Sequence, residues 1–270
     1  MRTLHIFAGA GGGLLADLIL GHTPVAAVEQ DPYCCAVLRE RAADGWFPEL
    51  AVHECDVRGF DPSQYAGRVD CISAGFPCQD ISAAGSGKGI SGERSGLYTE
   101  VIRAVDVIRP RFVFLENSPF IRTRGRHIVI GDLVARGYAW RDGQLAASDV
   151  GAPHRRNRWW CVAADADGMR ELQQGGSIRD QWQWPGHGAE ASADTLRRRL
   201  ESALQRGGLR AADAETIDAA ARHTAAYDWA PPDVGVCRVV DGLADRVHRI
   251  KALGNGQVPL QAAAAWLSTH

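Results

Sequence analysis

The chain has 270 residues, 46% of them hydrophobic and 23% charged, which is ordinary for a soluble globular protein and suits one sizeable domain with or without a smaller insert. No apolar run approaches membrane-spanning length, and Gly9–Gly13 interrupt any signal-peptide pattern, so we expect a cytoplasmic protein. The seven cysteines are odd in number and form no Cys-x-x-Cys pair, which argues for reduced thiols and predicts no metal site or disulfide framework.

The formal charge of -2 does not by itself indicate a nucleic-acid partner, but the charges are unevenly distributed. Arg122–Arg158 holds eight Arg against three Asp, and residues 246–270 hold three basic residues and no acid. Asp165–Asp245 is the reverse, with nine Arg and 14 acids. A single charged run is most often a solvated face, yet two basic stretches around an acidic one favour a basic cleft.

The first predicted element is a strand over Leu4–Ala8, followed by the glycine-rich turn Gly9–Gly13 and a helix over Leu14–Leu20. Such a turn lets a ligand approach backbone amides, although a tight turn without a ligand fits the pattern about equally well. A second strand over Val25–Val28 ends in Glu29, 20 residues after the first of these glycines. At that spacing, a carboxylate that binds ribose hydroxyls is favoured over a solvated strand end.

The next helix is predicted to begin at Asp31, because an aspartate followed by Pro32 combines a capping side chain with a favoured first residue. A third strand over Ala51–Cys55 ends in Asp56 and Val57. This pair could bind an adenine amine and cover the face of the ring, or it could merely end a strand. The pattern alone leaves both interpretations open.

Two further strands end in residues that can carry chemistry. Val69–Ser73 leads into a loop that contains Cys78, at the position where α/β enzymes place reactive groups. Alone, a cysteine in a loop would most often be a bystander. Arg111–Leu115 ends in Glu116, a candidate acid or base if the strand end faces that loop, and a solvated turn residue otherwise.

The remaining chain divides into a structured part and a polar part. A loop and helix are predicted over Arg122–Arg136, followed by strands over Gly137–Asp149 and Arg158–Ala164. From Asp165 to about Leu243 the sequence is polar and has little clear periodicity. A last helix is predicted over Leu260–Leu267.

Short motifs, taken in order, connect these elements to a known family. The motifs are Phe7-Ala8-Gly9-Ala10-Gly11-Gly12, Glu29, Asp56-Val57, Gly75-Phe76-Pro77-Cys78-Gln79, Arg94-Ser95-Gly96-Leu97, Glu116-Asn117, His154-x-Arg156-x-Arg158 and Gly254-Asn255. With them the chain resembles the bacterial and phage-type cytosine-5 DNA methyltransferases, from Leu4 to about Ala164 and again from Arg246 to Trp266. Any one motif is weak, but the ordered set is highly specific.

The resemblance implies an α/β fold, a doubly wound Rossmann-like sheet of an S-adenosylmethionine-dependent methyltransferase with a small inserted target-recognition lobe. Residues 1–164, completed by 246–270, would form the catalytic and cofactor-binding domain, and residues 165–245 the lobe. The implied cofactor is S-adenosyl-L-methionine, with S-adenosyl-L-homocysteine as product. The residues implied in its binding are Phe7, Gly9, Gly11, Gly12, Glu29, Asp56, Val57, Gly75, Pro77, Leu97 and Asn255.

The implied reaction is methyl transfer to carbon 5 of cytosine in duplex DNA, through a covalent adduct on a flipped-out base. Cys78 is the implied nucleophile, and Glu116 the acid that stabilises or protonates the ring nitrogen beside carbon 4. Arg156 and Arg158 are implied donors to the ring carbonyl and a neighbouring phosphate. We expect a monomer on double-stranded DNA and no membrane partner, and leave a cognate restriction endonuclease open.

Three alternatives compete with this interpretation. The long polar insert argues against an RNA-acting enzyme of the same chemistry, and retention of Cys78 and Glu116 argues against a silent cofactor-binding module. A nicotinamide oxidoreductase would leave those two residues and the paired arginines unexplained. The sequence departs from the common family pattern at three places: His154, whose role stays open, Ser118, and the stretch Gly256-Gln257-Val258-Pro259.

Overall fold

The computed structural model describes residues 1–77, 97–150, 152, 154–169 and 256–269. Its strands are β1 (Arg2–Ile6), β2 (Thr23–Glu29), β3 (Ala51–Glu54), β4 (Cys71–Gly75), β5 (Phe112–Asn117), β6 (Ala139–Leu145) and β7 (Arg158–Ala164). Its helices are α1 (Gly12–Leu20), α2 (Pro32–Ala43), α3 (Tyr98–Ile108), α4 (Ile121–Arg124), α5 (Arg126–Ala135) and α6 (Pro259–Thr269). Short 3-10 turns cover Val57–Gly59, Ser63–Tyr65 and Ala147–Val150.

The seven strands form one sheet in the order β3-β2-β1-β4-β5-β7-β6. Neighbouring strands from β3 to β5 pair in parallel, whereas β7 is antiparallel to both β5 and β6. From β1 the chain adds β2 and β3 on one side. After β3 it returns to the other side of β1 and adds β4 and β5 there. Ligands of open α/β sheets bind at such a reversal, beyond the carboxyl ends of the strands.

Both faces of the sheet are covered, as a doubly wound fold requires. Along β5, Phe112 and Phe114 belong to one apolar core, whereas Val113 and Leu115 belong to another. Side chains alternate across a strand, so the two cores lie on opposite faces. Residues of α3 and α5 complete one core, and residues of α1 and α6 complete the other. The predicted doubly wound sheet is therefore confirmed.

Local sequence signals account for the limits of several elements. The side chain of Asp31 accepts hydrogen bonds from the backbone of Tyr33 and Cys34, as predicted for the cap of α2. Helix α1 ends where Gly21 adopts a φ of 71°, in the left-handed region that glycine enters at little cost. Strand β5 runs two residues beyond its predicted end, and this extension places Glu116 inside the hydrogen-bonded ladder.

A buried polar cluster joins β1 to α1. The carboxylate of Asp17 accepts a hydrogen bond from Thr3 Oγ1 at 2.5 Å and lies 2.6 Å from His5 Nε2 and 3.2 Å from His22 Nδ1. All four residues are buried. Burial alone would raise the pKa of Asp17, but the charge and hydrogen bonds of the two histidines hold it well below its usual range.

The predicted polar lobe lies almost wholly outside the described residues, since only 165–169 of its 165–245 are included. Within the parts of the chain that the structure covers, no helix is both long and apolar enough to cross a membrane.

Candidate functional site

The turn after β1 has the backbone geometry of a ligand-binding loop. Phe7 and Gly9 adopt positive φ angles of 61° and 54°, and the Gly9 N–H donates to Oε2 of Glu29 at 2.8 Å. Apart from Gly9 and its chain neighbours, no atom of the described residues lies within 4 Å of the place where a side chain on Gly9 would begin. This open space beside the loop fits a ligand that contacts the backbone.

Glu29, the last residue of β2, ties two loops together. Besides Gly9, its carboxylate accepts hydrogen bonds from the backbone N–H groups of Gln30 and Asp31 at 2.8 and 2.9 Å. These three donors fix the orientation of the carboxylate beside the space at Gly9. Each carboxylate oxygen can accept more than one hydrogen bond, so the group retains capacity for ribose hydroxyls. The residues present therefore fit the nucleoside part of the implied cofactor.

Asp56 and Val57 follow β3 at the same edge of the sheet. The Asp56 carboxylate binds the Arg58 side chain and its backbone N–H, and these hydrogen bonds lower the pKa of Asp56 to about 2. Val57 is buried in the core. The structure thus gives Asp56 a clear local partner in Arg58, while contact with an adenine stays a prediction.

The end of β4 leads toward Cys78, which itself lies outside the described residues. Phe76 is buried and packs against Tyr98 with 5.1 Å between ring centroids. Its carbonyl accepts a hydrogen bond from Nδ2 of the buried Asn117 at 3.1 Å. The chain is therefore anchored at Phe76, two residues before the predicted nucleophile.

Glu116 faces this strand end directly, because it is the ladder partner of Gly75. Its side chain is only 13% exposed, and its Oε1 lies 2.8 Å from Arg158 Nε. Burial raises the pKa of Glu116 above the ordinary value of a glutamate, and the charges of Arg158 and Arg156 offset part of this effect. A raised pKa favours the protonated form of the carboxyl group, which is the form that a proton donor needs.

Arg158 reaches Glu116 because β7 runs antiparallel to β5. The first residues of β7 therefore lie at the edge where β5 ends, and Asn117 pairs with Trp159. Arg156 has a different surrounding: its backbone has a φ of 27°, and its Nη2 donates to the carbonyl of Gly256 at 2.5 Å. Of the two predicted arginines, Arg158 has the direct contact with Glu116.

The remaining predicted cofactor residues have mainly structural surroundings. Gly11 has a φ of 96° and precedes α1, and Leu97 packs against the core just before α3. A side chain on Gly12 would collide with the carbonyl oxygen of Gln257, 2.1 Å away. Asn255 lies outside the described residues. Their contacts with a cofactor stay predictions.

Sequence reasoning assigned no role to two buried amides that support the site. Asn117 holds the carbonyl of Phe76, and Gln261 donates to the carbonyls of Leu145 and Arg156 at 2.8 and 3.0 Å. The signal for Asn117 was present, since a polar residue that ends a buried strand needs a partner. Gln261 lies in a predicted helix, where a polar residue is ordinary, so the pattern did not predict its hydrogen-bond partners.

Comparison with known proteins identifies the fold and the family together. A family model described as C-5 cytosine-specific DNA methylase matches residues 1–207, more than half of the chain. The chain belongs to this family. Among curated members, it is 36% identical over 168 residues to the type II methyltransferase M.CviJI of Paramecium bursaria Chlorella virus IL3A, covering 62% of this chain and 44% of the relative. It is 31% identical over 166 residues to M2.BsuMI of Bacillus subtilis, covering 58% and 40%.

Solved structures agree on the architecture of this C-5 cytosine-specific methylase chain. A putative DNA modification methyltransferase encoded within an E. coli prophage matches with a TM-score of 0.50 and 26% identity, over 62% of this chain and 47% of the other. DNMT2 of Spodoptera frugiperda matches with a TM-score of 0.50 and 23% identity, over 61% and 50%. The chain spans less than half the length of the curated relatives described above.

Proposed function

We propose that this chain transfers a methyl group from S-adenosylmethionine to carbon 5 of cytosine in duplex DNA, through a covalent Cys78 adduct on a flipped-out base. The observation that carries the proposal is the buried Glu116 carboxyl, which pairs with Arg158 and is the ladder partner of Gly75. Gly75 lies three residues before Cys78. Family membership supports the reaction class.

In the first step, the Cys78 thiolate forms a bond to carbon 6 of the cytosine ring. The electron pair of the 5,6 double bond moves into the ring, toward the nitrogen beside carbon 4. Glu116 donates a proton to that nitrogen and becomes a carboxylate. Arg158, 2.8 Å away, stabilises the carboxylate that forms, so the pair lowers the energy of the charge-separated state.

The bound cofactor supplies an electrophilic methyl group, which carbon 5 attacks. Gly9 and Glu29 would hold its nucleoside part at the carboxyl edge of β1 and β2. After the transfer, a water molecule takes the proton from carbon 5, and the electron pair of that bond forms the 5,6 double bond and expels the Cys78 sulfur as a thiolate. The ring nitrogen then returns its proton to Glu116. The base must leave the duplex for these atoms to be reached.

Recognition of the DNA is proposed to be divided between two parts of the chain. The polar segment, residues 165–245, would read the sequence as a target-recognition lobe, since its acidic balance makes it unsuited to bulk phosphate attraction. The basic stretch 122–158 would bind phosphate. We expect a monomer on DNA and a cytoplasmic location, and a restriction endonuclease acting on the same sequence remains an open partner.

The test uses random-sequence duplex DNA in which cytosine is replaced by 5-fluorocytosine. Fluorine at carbon 5 cannot leave as a proton does, so the protein should form a stable adduct that requires S-adenosylmethionine. Sequencing the trapped DNA would give the recognised word. Equal trapping by Cys78→Ala would reject the nucleophile, and methyl transfer to RNA but not to DNA would reject the substrate.

A further inference from the structure

Residues 256–258, which precede α6, pack against the glycine-rich turn between β1 and α1, called here the cofactor loop. The carbonyl oxygen of Gln257 lies 2.1 Å from the place where a side chain on Gly12 would begin. Real β-carbons never approach an oxygen so closely, so only glycine fits at position 12. The cofactor loop and this segment are therefore packed together without intervening atoms.

The side-chain amide of Gln257 extends from this contact toward Glu116. Its Oε1 lies 2.7 Å from the β-carbon position of Gly13, and its Nε2 lies 3.3 Å from that of Gly75. Oε2 of Glu116 lies 2.9 Å from the same Gly75 position. The amide nitrogen and the carboxyl oxygen therefore both lie beside Gly75, at the place where a side chain on that residue would begin.

The other end of the amide has an unfavourable environment. Gln257 Oε1 is buried and has no hydrogen-bond partner among the described residues. His5 Nδ1 lies on the same side, 3.1 Å from the Gly13 position, and His5 is held in turn by Asp17. A buried acceptor without a partner is destabilising, and an apolar side chain of similar length would avoid it. Among the described residues, nothing at this end therefore favours an amide over an apolar side chain.

We propose that Gln257 is a positioning residue for Glu116, an inference that rests on the proposed function for the role of Glu116 itself. The amide nitrogen and Oε2 of Glu116 lie within 3.3 Å of the same Gly75 position, while Arg158 binds Oε1. When Glu116 gives up its proton, both carboxylate oxygens then have a donor nearby. Gln257 thereby fixes the direction of the carboxyl and favours proton transfer to the base.

The test compares Gln257→Met, which keeps the length and removes the donor, with Gln257→Glu, which adds a like charge. The Glu116 carboxyl is followed by carbon-13 NMR, with its signal assigned by its loss in Glu116→Gln. We expect its titration midpoint to rise from wild type to Gln257→Met and again to Gln257→Glu, because each step disfavours the carboxylate. In single turnovers with methylatable DNA, the rate should fall at least roughly tenfold in Gln257→Met, as expected when a hydrogen bond to a charged group is removed.

The matched controls are Gln64→Met and Gln64→Glu, at an exposed glutamine in the Ser63–Tyr65 turn. They should leave the titration and the rate unchanged. Gln257→Asn, which withdraws the donor by one carbon, serves if a larger change prevents folding. An unchanged Glu116 midpoint in every folded Gln257 variant would overturn the inference. If the wild type transfers no methyl group, the proposed function fails. The order of the Glu116 titration midpoints in wild type and variants still tests the role of Gln257.

Discussion

Two carboxylates shielded from solvent, Asp17 on α1 and Glu116 on β5, have pKa values that are shifted in opposite directions. Asp17 is surrounded by Thr3, His5 and His22, and its pKa is held below the usual range. Glu116 forms a close ion pair with Arg158, and burial raises its pKa. Burial is common to both, so the strength of the surrounding donors decides the direction. The donors around Asp17 favour its charged form, whereas burial of Glu116 favours its protonated form.

The largest expected effect comes from Asp17→Asn, which removes one partner of a buried charged cluster. We expect the free energy of unfolding at pH 7 to fall by about 3–5 kcal/mol, measured by urea denaturation. Asp61→Asn, at an exposed carboxylate that binds Ser63, is the control and should leave the midpoint unchanged. Equal midpoints for the two variants would show that the Asp17 cluster does not stabilise the fold.

Glu29 is a third carboxylate that accepts several hydrogen bonds. Its substitution tests whether such a carboxylate also binds a ligand. Glu29→Gln should weaken S-adenosylmethionine binding by about 1.5–3 kcal/mol, the range for hydrogen bonds to a charged group, as measured by calorimetry. Glu49→Gln is the control, since the Glu49 carboxylate pairs with Arg2 at the surface. An unchanged dissociation constant with an intact fold would leave Glu29 with only its backbone contacts.

Asp17 and Glu116 should change the free energy of unfolding with pH in opposite directions. Because the pKa of Asp17 is lowered, its contribution is present above the ordinary aspartate pKa and is lost as the pH falls below it. The pKa of Glu116 is raised, so the native state holds its proton more tightly and stability falls as the pH rises from the ordinary glutamate pKa upward. Glu116→Gln should therefore gain stability relative to wild type over that upper window, in unfolding measured from pH 3 to 8. A constant difference across the range would contradict the raised pKa.

The smallest expected effect separates arginines that look alike in the sequence. Arg126 binds the Asp142 carboxylate through Nε at 2.5 Å and Nη2 at 2.9 Å, whereas Arg122 is exposed and Arg124 stacks on Phe120. Substituting Arg122 and Arg124 by Gln should reduce the slope of log affinity against log salt by about 1 for each phosphate that the variant no longer binds. Arg126→Gln should instead lower the unfolding midpoint and leave the slope unchanged. A reduced slope in Arg126→Gln would show that Arg126 also binds phosphate.

Sequence patterns anticipated the features that depend on near neighbours. The cap at Asp31 and a strand that leads to Glu116 follow from residue type and apolar periodicity, and both were predicted, although β5 continues to Asn117. The pairing of Arg126 with Asp142 was not predictable, because it depends on how α5 packs against β6. The same holds for Gln257, whose partners lie in three distant stretches of the chain. A sequence pattern predicts candidate side chains, but the packing of distant elements determines which partner each side chain contacts.

The contact between Gly12 and Gln257 can form only late in the synthesis of the chain. The two residues are 245 positions apart, so a ribosome exposes the glycine loop long before it exposes the residue that covers it. The entropy of closing so long a loop grows only slowly with length, and the late contact is therefore thermodynamically accessible. During synthesis, however, the half-finished chain presents an uncovered loop and a Glu116 without its amide neighbour. The contact between Gly12 and Gln257 therefore forms only after every strand of the described sheet has been synthesised, together with the packing of α6.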